Sequence, residues 1–599
     1  MNITPLHTFH IPVMGLSYTI DTPVRLAHLG ISSVISIIDD EIIERMRIFY
    51  SEKFGLKYNP ISIKSEDYRA ERITAYLNLV EDIVQDKFQA FKEQLACNMD
   101  TLKKFIRILP NNTHTKAQLQ QFVSDGVSNS TAIKEYVDSY LLPGSIDVNI
   151  MTKVDKENFS KNMKQPVIYN DAHASLRGYA HSKLSSSMVL SAGFNPKLLS
   201  YIEQFKDFYP DSNNHLKKKI IIKVSDFRSA LIQGNFLAKK GLWVSEYRIE
   251  SGLNCGGHAF ATDGLLLGPI LEVFKQRKGE LVESAFSLMV SSLKNKKRYT
   301  PEVPPQMKIT VQGGVGTAEE HHFLLENYNL DSVGWGSPFL LVPEATSVDS
   351  ETRNLLAVSG ENDFYLSNIS PLGVPFNTVR GSSSEIYMKT KGAQNRNGSS
   401  CPKKLLALNK EYSHKGLCTA SKKFQERKLE ELVRNNDGSN PQQLLKFKEE
   451  ITEKACLCVG LANAAYIDNG IQVKGENKGV VICPGPNLAY FNKEVSLDQM
   501  IRHIYGNENI LSSADRPNFF VNELKMYLDY YKKGLLNAAT LNSSEIKKWE
   551  GFKENILSGI TYYEHLFNNT SFFAPQAEQT LLQFKKFKEV ILNHSVTKN

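Results

Sequence analysis

The chain has 599 residues, of which 41% are hydrophobic and 23% are charged. These fractions are typical of globular proteins and exclude a disordered, collagen-like or low-complexity chain. The 71 basic and 64 acidic side chains leave a formal charge of +7, which is small for a chain of this length. Because no stripe of basic and aromatic residues is present, the sequence does not indicate nucleic-acid binding.

Neither a targeting segment nor a membrane anchor is expected. The first 24 residues contain no Lys or Arg, and no long apolar run follows them, unlike a secretory signal. The longest apolar runs have the length of strands, well short of the roughly 18 residues of a membrane helix. The seven cysteines have no regular spacing and do not indicate a disulfide framework. We therefore expect a cytoplasmic protein without a membrane partner, with a homodimer as one option for its assembly.

Short apolar, β-branched runs recur through the first 340 residues and alternate with segments that can hold helices. The runs are His10–Gly15, Ile31–Ile38, Ser145–Met151, Met188–Gly193, Ile220–Val224, Leu242–Tyr247, Lys308–Gln312 and Asp331–Trp335. Continuous apolar runs are typical of buried parallel strands, and alternation with helices is typical of βαβ units. Eight such units predict an α/β fold, a (β/α)8 TIM barrel. An open doubly wound sheet is the alternative.

The connection between the second and third predicted strands is too long for a simple βα unit. Within it, apolar residues recur at helical spacing over Glu66–Leu95. This pattern predicts a helical insertion over 56–143, packed beside the barrel. A lid or partner surface over the active site is the alternative. The barrel then consists of 1–55 and 144–375.

The remainder, 376–599, is predicted to be a mostly helical C-terminal region. It begins with Arg380–Ser400, which is rich in Gly, Ser and Asn and predicts a linker or mobile loop. Helical patterns follow at Lys422–Arg434, Gln442–Ala465, Leu497–Ile504, Pro517–Leu536 and Gln576–Leu592.

Two glycine-rich segments follow the last two predicted strands. The first is Gly313–Gly316, and the second is Gly334–Ser337. Barrels of this class hold phosphate in the loops after the seventh and eighth strands, where glycine lets the backbone approach an anion. The predicted phosphate ligands are Gly313, Gly314, Gly336 and Ser337, and Gly316 is a further predicted cofactor-binding residue. A pair of tight turns without a ligand is the alternative.

The sixth predicted strand leads into Ser251–Ala259, with the sequence SGLNCGGHA. His258 follows two glycines at the carboxyl end of a barrel strand, where the catalytic residues of this fold gather. Its imidazole can exchange a proton near neutral pH. The position predicts a catalytic role for His258, with a structural histidine as the alternative.

In chain order, these motifs resemble those of the flavin-dependent barrel oxidoreductases, which include nitronate monooxygenases and flavin-type enoyl-acyl-carrier-protein reductases. The matching segments are His10–Pro23, Asp147–Met151, Ser191–Pro196, Asn254–His258 and Lys308–Glu344. The resemblance implies bound FMN, with Met14, Gly15, Asn149 and Gly257 against it. It also implies that His258 is the catalytic acid/base or orients the substrate.

Beyond the barrel, Val481–Val495 resembles a segment of the long enoyl reductases that act in trans on polyunsaturated fatty acid and polyketide synthases. This resemblance implies reduction of an activated C=C bond, as in an enoyl thioester, with NAD(P)H as electron donor. The substrate is then a small molecule or an acyl group on a carrier protein. Asn254 and Cys255 depart from the acidic and small residues of the family motif. Nitronate oxidation with O2 and a flavin-free binding protein are the alternatives.

Five cysteines lie beyond residue 400. They are Cys401, Cys418, Cys456, Cys458 and Cys483. Iron–sulfur clusters need thiolates, and Cys–Pro pairs such as Cys401–Pro402 occur at such sites, so a glutamate-synthase-like FMN barrel with a cluster is a further alternative. However, no C-x2-C element is present, and a helical pattern through Cys456 and Cys458 directs their thiols to different faces. Buried or free thiols, and no metal site, are therefore expected.

Overall fold

The computed structural model describes residues 5–125, 130–191, 193–435, 441–473, 478–513, 515–535 and 542–594. Eight parallel strands form its main sheet: β1 (Phe9–His10), β2 (Ser33–Ser36), β3 (Ile146–Met151), β4 (Ser186–Ser191), β5 (Lys218–Val224), β6 (Val244–Glu250), β7 (Lys308–Gln312) and β8 (Ser332–Gly334). Their order is β1-β8-β7-β6-β5-β4-β3-β2. A parallel bridge between Ile11 and Ser33 brings β1 against β2 and nearly closes the barrel. The predicted (β/α)8 fold is confirmed.

The first strand is shorter than the sequence predicts. The prediction covers His10–Gly15, whereas pairing with β8 ends at His10 and the bridge to β2 ends at Ile11. Pro12 has no N–H to donate to a sheet, and Gly15 has a positive φ of 55°. The chain therefore leaves the sheet after Ile11. The fourth predicted strand includes Ala192, which lies outside the described residues.

Helices alternate with the strands around the outside of the sheet. They are Thr22–Leu26, Asp40–Lys53, Asp171–His181, Pro196–Tyr201, Phe227–Ala238, Leu267–Asn295, Ala318–Asn327 and Ser350–Val358. The Thr317 side chain accepts a hydrogen bond from the backbone N–H of Glu320, which caps the helix after β7. Because that helix begins at Ala318, Gly313–Gly316 form the loop at the carboxyl end of β7.

The segment 56–143 is helical, as predicted. Its helices are Tyr68–Cys97, Met99–Ile108, His114–Ser124 and Ser130–Tyr140, and residues 126–129 lie outside the described part of the chain. The first helix buries a stripe that includes Ile73 and Leu77. It packs so closely on the barrel helix Asp171–His181 that a Cβ at Gly178 would lie 2.7 Å from Ile73. The insertion therefore packs beside the barrel.

The C-terminal region is mostly helical. Its helices are Ser383–Ala393, Lys422–Arg434, Pro441–Thr452, Leu457–Asp468, Leu497–Ile504, Phe519–Leu535, Ser543–Asn569 and Ala577–Asn593. The prediction of a linker or mobile loop over Arg380–Ser400 is wrong for its central part, because Ser382 acts as the N-cap of Ser383–Ala393. The predicted helix Gln442–Ala465 is two helices. The helix Ser543–Asn569 was not predicted. The predicted helix Pro517–Leu536 ends at a residue, Leu536, that lies outside the described residues.

The barrel and the C-terminal helices share one hydrophobic core, which extends from Phe9 to Ile591. Polar contacts join the same parts, since the Tyr18 hydroxyl donates to the Val481 carbonyl at 2.6 Å. None of the helices in the described part of the chain has the length and apolar character that a membrane span requires. The C-terminal region therefore packs directly on the barrel.

Candidate active site

The carboxyl ends of the barrel strands surround a cavity of about 230 Å³. Polar side chains from five successive strands line it: Asn149, Ser191, Lys223, Glu250 and Gln312. Active sites of (β/α)8 enzymes lie at this end of the barrel. No described residue of the insertion 56–143 lines the cavity, so the insertion contributes no wall to it.

The structure brings together nine of the ten residues predicted for the site. The nine that line the cavity are Met14, Gly15, Asn149, Gly257, His258, Gly313, Gly314, Gly336 and Ser337. Gly316 is the exception, because its N–H donates to the Glu320 carboxylate at 2.8 Å and its carbonyl accepts from His503 at 2.9 Å. The role of Gly316 in cofactor binding stays a prediction, and its amide already donates a hydrogen bond within the protein.

The glycines after β7 allow that loop to pack against the loop after β6. Gly313 and Gly314 both have a positive φ, which favours glycine. A Cβ at Gly314 would lie 2.0 Å from the Asn254 amide nitrogen, and one at Gly313 would lie 2.8 Å from the Cys255 sulfur. Gly336 differs, because a Cβ there would make only ordinary contacts with Pro12 and Met14. Space beside Gly336 therefore remains open to the cavity.

His258 lies on a short strand, Gly257–His258, that pairs antiparallel with Phe376–Val379. Its Nε2 is 2.7 Å from the Ser370 hydroxyl, and its ring packs edge-on against Phe376. Burial lowers the pKa of His258 to about 4. The imidazole is therefore neutral at neutral pH, which suits a group that orients a substrate by hydrogen bonding.

The sequence analysis did not predict three polar residues of the site, Lys223, Glu250 and Gln312. Lys223 Nζ lies 2.6 Å from Glu250 Oε2, and the Gln312 amide donates to the same oxygen at 3.1 Å. All three stand at the carboxyl ends of β5, β6 and β7. The sequence feature that could have identified them is a polar residue at the carboxyl end of a predicted barrel strand.

Three amides in the wall have unused acceptors. Within the described residues, Asn149 Oδ1, Asn254 Oδ1 and Gln312 Oε1 are buried without a hydrogen-bond partner, and all three residues line the cavity. Buried polar atoms are satisfied in nearly all native structures, so unpaired ones at a cavity point to a ligand. A cofactor that presents N–H or O–H donors to this wall would satisfy them.

The C-terminal region closes the cavity opposite the barrel. Gly485 donates its N–H to the Ser337 hydroxyl at 2.8 Å, and a Cβ at Gly256 would lie 2.4 Å from the Cys483 carbonyl. The segment Val481–Val495 therefore packs on the loops after β6 and β8. Apolar side chains from the same region complete the wall: Leu405, Leu406, Leu457 and Leu461.

No family model matches the chain, and no curated protein matches it at a significant level. Among solved structures, the enoyl reductase domain of MlnA, from the macrolactin biosynthesis cluster of Bacillus amyloliquefaciens, is 14% identical with a TM-score of 0.31. The match covers 66% of this chain and 84% of that chain. A likeness at this level carries no inference about the chemistry of this chain.

Proposed function

We propose that the chain is an FMN-dependent oxidoreductase that reduces an activated C=C bond with NAD(P)H as electron donor. The substrate would be an enoyl thioester, free or bound to a carrier protein. One observation carries the proposal: Gly313–Gly314, Gly336–Ser337, Asn149 and His258 surround a single cavity at the carboxyl end of the barrel. The motif resemblance to flavin barrels supplies the identity of the cofactor.

The residues present fit FMN. The open space beside Gly336 and the hydroxyl of Ser337 would hold the phosphate, where the backbone permits close approach. The unpaired oxygens of Asn149 and Gln312 would accept hydrogen bonds from the polar edge of the ring system or from the ribityl hydroxyls. When bound, the flavin supplies the hydride-transfer chemistry, and the protein binds and orients the reactants.

The charged pair in the wall has a separate role in the proposal. Lys223 places a positive charge at the cavity, and Glu250 fixes its position through a contact of 2.6 Å. Glu250 also accepts a hydrogen bond from the Gln312 side-chain amide, so the three side chains hold one another in place. Because Glu250 offsets its charge, Lys223 would act on a bound group as a preorganised hydrogen-bond donor rather than as a net positive charge.

His258 would act on the substrate. As a neutral imidazole it can donate one hydrogen bond to a thioester carbonyl, and Ser370 fixes the ring orientation. Such a bond withdraws electrons from the conjugated C=C bond and favours its reduction. The apolar wall formed by Leu405, Leu406, Leu457 and Leu461 suits an acyl chain.

The visible spectrum of the purified protein is the first test. We expect flavin absorbance and release of FMN on heating, identified by mass spectrometry. Anaerobic NADPH or NADH should bleach the flavin, and an enoyl thioester such as crotonyl-coenzyme A should restore the colour with formation of the saturated thioester. A colourless chain that binds no added FMN would overturn the proposal. Reduction of the oxidised flavin by a nitronate and its reoxidation by O2, without reoxidation by the enoyl thioester, would favour the nitronate monooxygenase alternative.

A further inference from the structure

A second cavity, of about 440 Å³, lies beside the candidate active site. One wall is the helix Phe519–Leu535, and the opposite wall is the strand Phe364–Ser367 with the loop before it. The buried side chain of Asn487 lines both cavities, so the two share part of a wall. The proposed function assigns no role to the second cavity.

The helix Phe519–Leu535 presents one continuous face to the second cavity. Its lining residues recur at intervals of three or four positions, and residues at this spacing share one face of a helix. They are Asn522, Lys525, Met526, Asp529, Tyr530, Lys532 and Lys533. The cavity therefore has a mostly polar wall along about three helical turns.

Two buried amides at the second cavity have unused hydrogen-bonding groups. Asn377 is 3% exposed, and its Nδ2 donates to the carbonyls of Leu253 and Cys255 at 3.0 Å and 2.6 Å. Asn487 is 4% exposed, and its Nδ2 donates one N–H to the Val315 carbonyl at 3.0 Å. Among the described residues, nothing donates to Asn377 Oδ1 or accepts the second N–H of Asn487. The cavity thus offers a ligand one buried acceptor and one buried donor.

The charged side chains of the second cavity leave an excess of positive charge. Lys525 on the helix pairs with Glu361 on the opposite wall at 3.1 Å, so their charges offset each other. Lys532 and Lys533 are exposed, and neither forms a salt bridge with any part of the chain that the structure describes. Asp529 has no such partner in that part of the chain either. Two lysines against one aspartate suit a ligand that carries phosphate.

Three tyrosines complete the lining of the second cavity: Tyr365, Tyr490 and Tyr530. The Tyr530 ring packs against Trp549 and Phe552 with centroids 5.8 Å apart, and these contacts fix its position. Flat rings at a polar cavity suit a planar ligand, because nucleobases stack on aromatic side chains.

We propose that the second cavity binds a phosphorylated adenosine, with one phosphate on the ribose and another at the 5′ position. Adenine presents an amino donor beside ring-nitrogen acceptors. Asn377 Oδ1 would accept from the amino group, and the free N–H of Asn487 would donate to a ring nitrogen. Lys532 and Lys533 would bind the phosphates.

This chemistry is shared by the two large reactants of the proposed function. NADPH and coenzyme A thioesters both contain adenosine with a ribose phosphate, and Asp529 can accept a hydrogen bond from the remaining ribose hydroxyl. Because Asn487 borders both cavities, a molecule anchored in the second cavity can extend its reactive end into the first. The choice between the two reactants rests on the proposed function, whereas the binding of the nucleotide does not.

Calorimetric titration of the full chain, as purified, tests the site without any turnover. The probes are adenosine 2′,5′-bisphosphate and adenosine 3′,5′-bisphosphate, and at least one of them should bind. The corresponding inosine bisphosphate, which lacks the amino group that Asn377 would receive, should bind more weakly. Absence of binding by both adenosine probes would overturn the proposal, and equal affinity for the inosine compound would overturn the assignment of adenine.

A charge-reversal variant locates the binding. The double variant Lys532→Glu, Lys533→Glu should weaken binding by about tenfold or more, and both lysines are exposed, so the chain should stay folded by circular dichroism. The matched control is Lys103→Glu, Lys104→Glu, an adjacent exposed pair on the insertion that changes the net charge equally. The control should bind as the wild type does. Equal weakening in the two variants, or none in either, would place the nucleotide elsewhere.

Steady-state kinetics distinguish the two sources of the nucleotide. If the site serves NADPH, the double variant should raise the KM for NADPH by about tenfold and change the KM for NADH, which lacks the ribose phosphate, much less. If it serves the thioester, the KM for crotonyl-coenzyme A should rise, and that for crotonyl-pantetheine should change much less. An unchanged KM for both NADPH and crotonyl-coenzyme A would overturn a role in the reaction. Bisphosphate binding by a chain without flavin would contradict only the proposed function.

Discussion

Arg516 and Glu320 form a buried, doubly bonded ion pair between the C-terminal region and the helix after β7. The two contacts measure 2.7 Å and 3.0 Å, and both side chains are only 3% exposed. Arg516 also donates to the Gly314 carbonyl at 2.9 Å, and Glu320 accepts the Gly316 N–H. The pair therefore fixes the loop Gly313–Gly316 at the cavity, which contains predicted phosphate ligands.

Substitution of Arg516 should destabilise the protein strongly. In Arg516→Met, the Glu320 carboxylate remains buried without its partner, and breaking such a pair typically costs about 3–5 kcal/mol of the free energy of unfolding. Urea unfolding measures the change. The control is Arg107→Met, which removes a more exposed pair with Asp498 at 2.9 Å and should cost less than about 1 kcal/mol. Equal losses in the two variants would show that the Arg516 pair does not hold the loop.

Gly336→Asp should abolish FMN binding while the chain stays folded. A side chain fits there, but its carboxylate would repel the phosphate in a poorly solvated site. The matched control is Gly336→Asn, which has nearly the same shape without the charge and should bind FMN at least tenfold more tightly than Gly336→Asp. Fluorescence titration measures both affinities. Equal affinities would place the phosphate elsewhere. Gly314 suits this test less well, because any side chain there meets Asn254.

His258→Ala should keep FMN but lose about 10²–10⁴-fold in turnover, the usual contribution of a group that moves or holds a proton. Stopped-flow separates the half-reactions, and slowed flavin reoxidation by substrate with normal reduction by NAD(P)H would place His258 on the substrate side. Because its pKa is lowered to about 4 by burial, no titration of His258 should appear in kcat between pH 5.5 and 8. A transition near 6.5 that disappears in His258→Ala would contradict the neutral imidazole.

Glu523→Gln should change how stability depends on pH. Burial raises the pKa of Glu523 to about 7, although Ser251, Leu267 and Tyr563 donate hydrogen bonds to it. A raised carboxyl pKa means that its contribution is fully present below about 4.5 and is lost as pH rises through about 7. The variant should therefore gain stability relative to wild type between pH 5 and pH 8, by on the order of 2–3 kcal/mol. Chemical denaturation at pH 5 and at pH 8 measures the free energy of unfolding of the variant and of the wild type. A difference between the two proteins that is the same at both pH values would refute the prediction.

The strands and most helices are predictable because each has a local signal. The run Lys308–Gln312 is continuously apolar in its centre and matches β7, and the amphipathic pattern of Leu497–Ile504 matches its helix at both ends. The glycines that line the candidate site are predictable for a related reason. A glycine cluster directly after a barrel strand lies at the carboxyl end of the sheet, and this position does not depend on contacts with distant parts of the chain.

Other features depend on contacts that sequence spacing does not encode. In the sequence, Lys223 and Glu250 have the character of ordinary surface charges. In the structure, the barrel places their charged groups 2.6 Å apart in one cavity. The single helix predicted over Gln442–Ala465 is interrupted, and its second part begins at Leu457 with Cys456 as the N-cap. Helix ends are the least certain part of any pattern. The pairing of Arg516 with Glu320 spans 196 positions of sequence.

The pairing of β1 with β8 has a consequence for how the protein folds. Phe9 and Val333 are neighbours in the sheet, and the His7 imidazole contacts the Tyr505 hydroxyl at 2.9 Å, 498 positions away. During synthesis, the first strand cannot pair with β8 until more than 300 residues have emerged from the ribosome, and the C-terminal region that closes the cavity follows later still. Contacts of such long range slow folding and leave apolar strands exposed in the meantime. The growing chain should therefore depend on chaperones well before the candidate active site has formed.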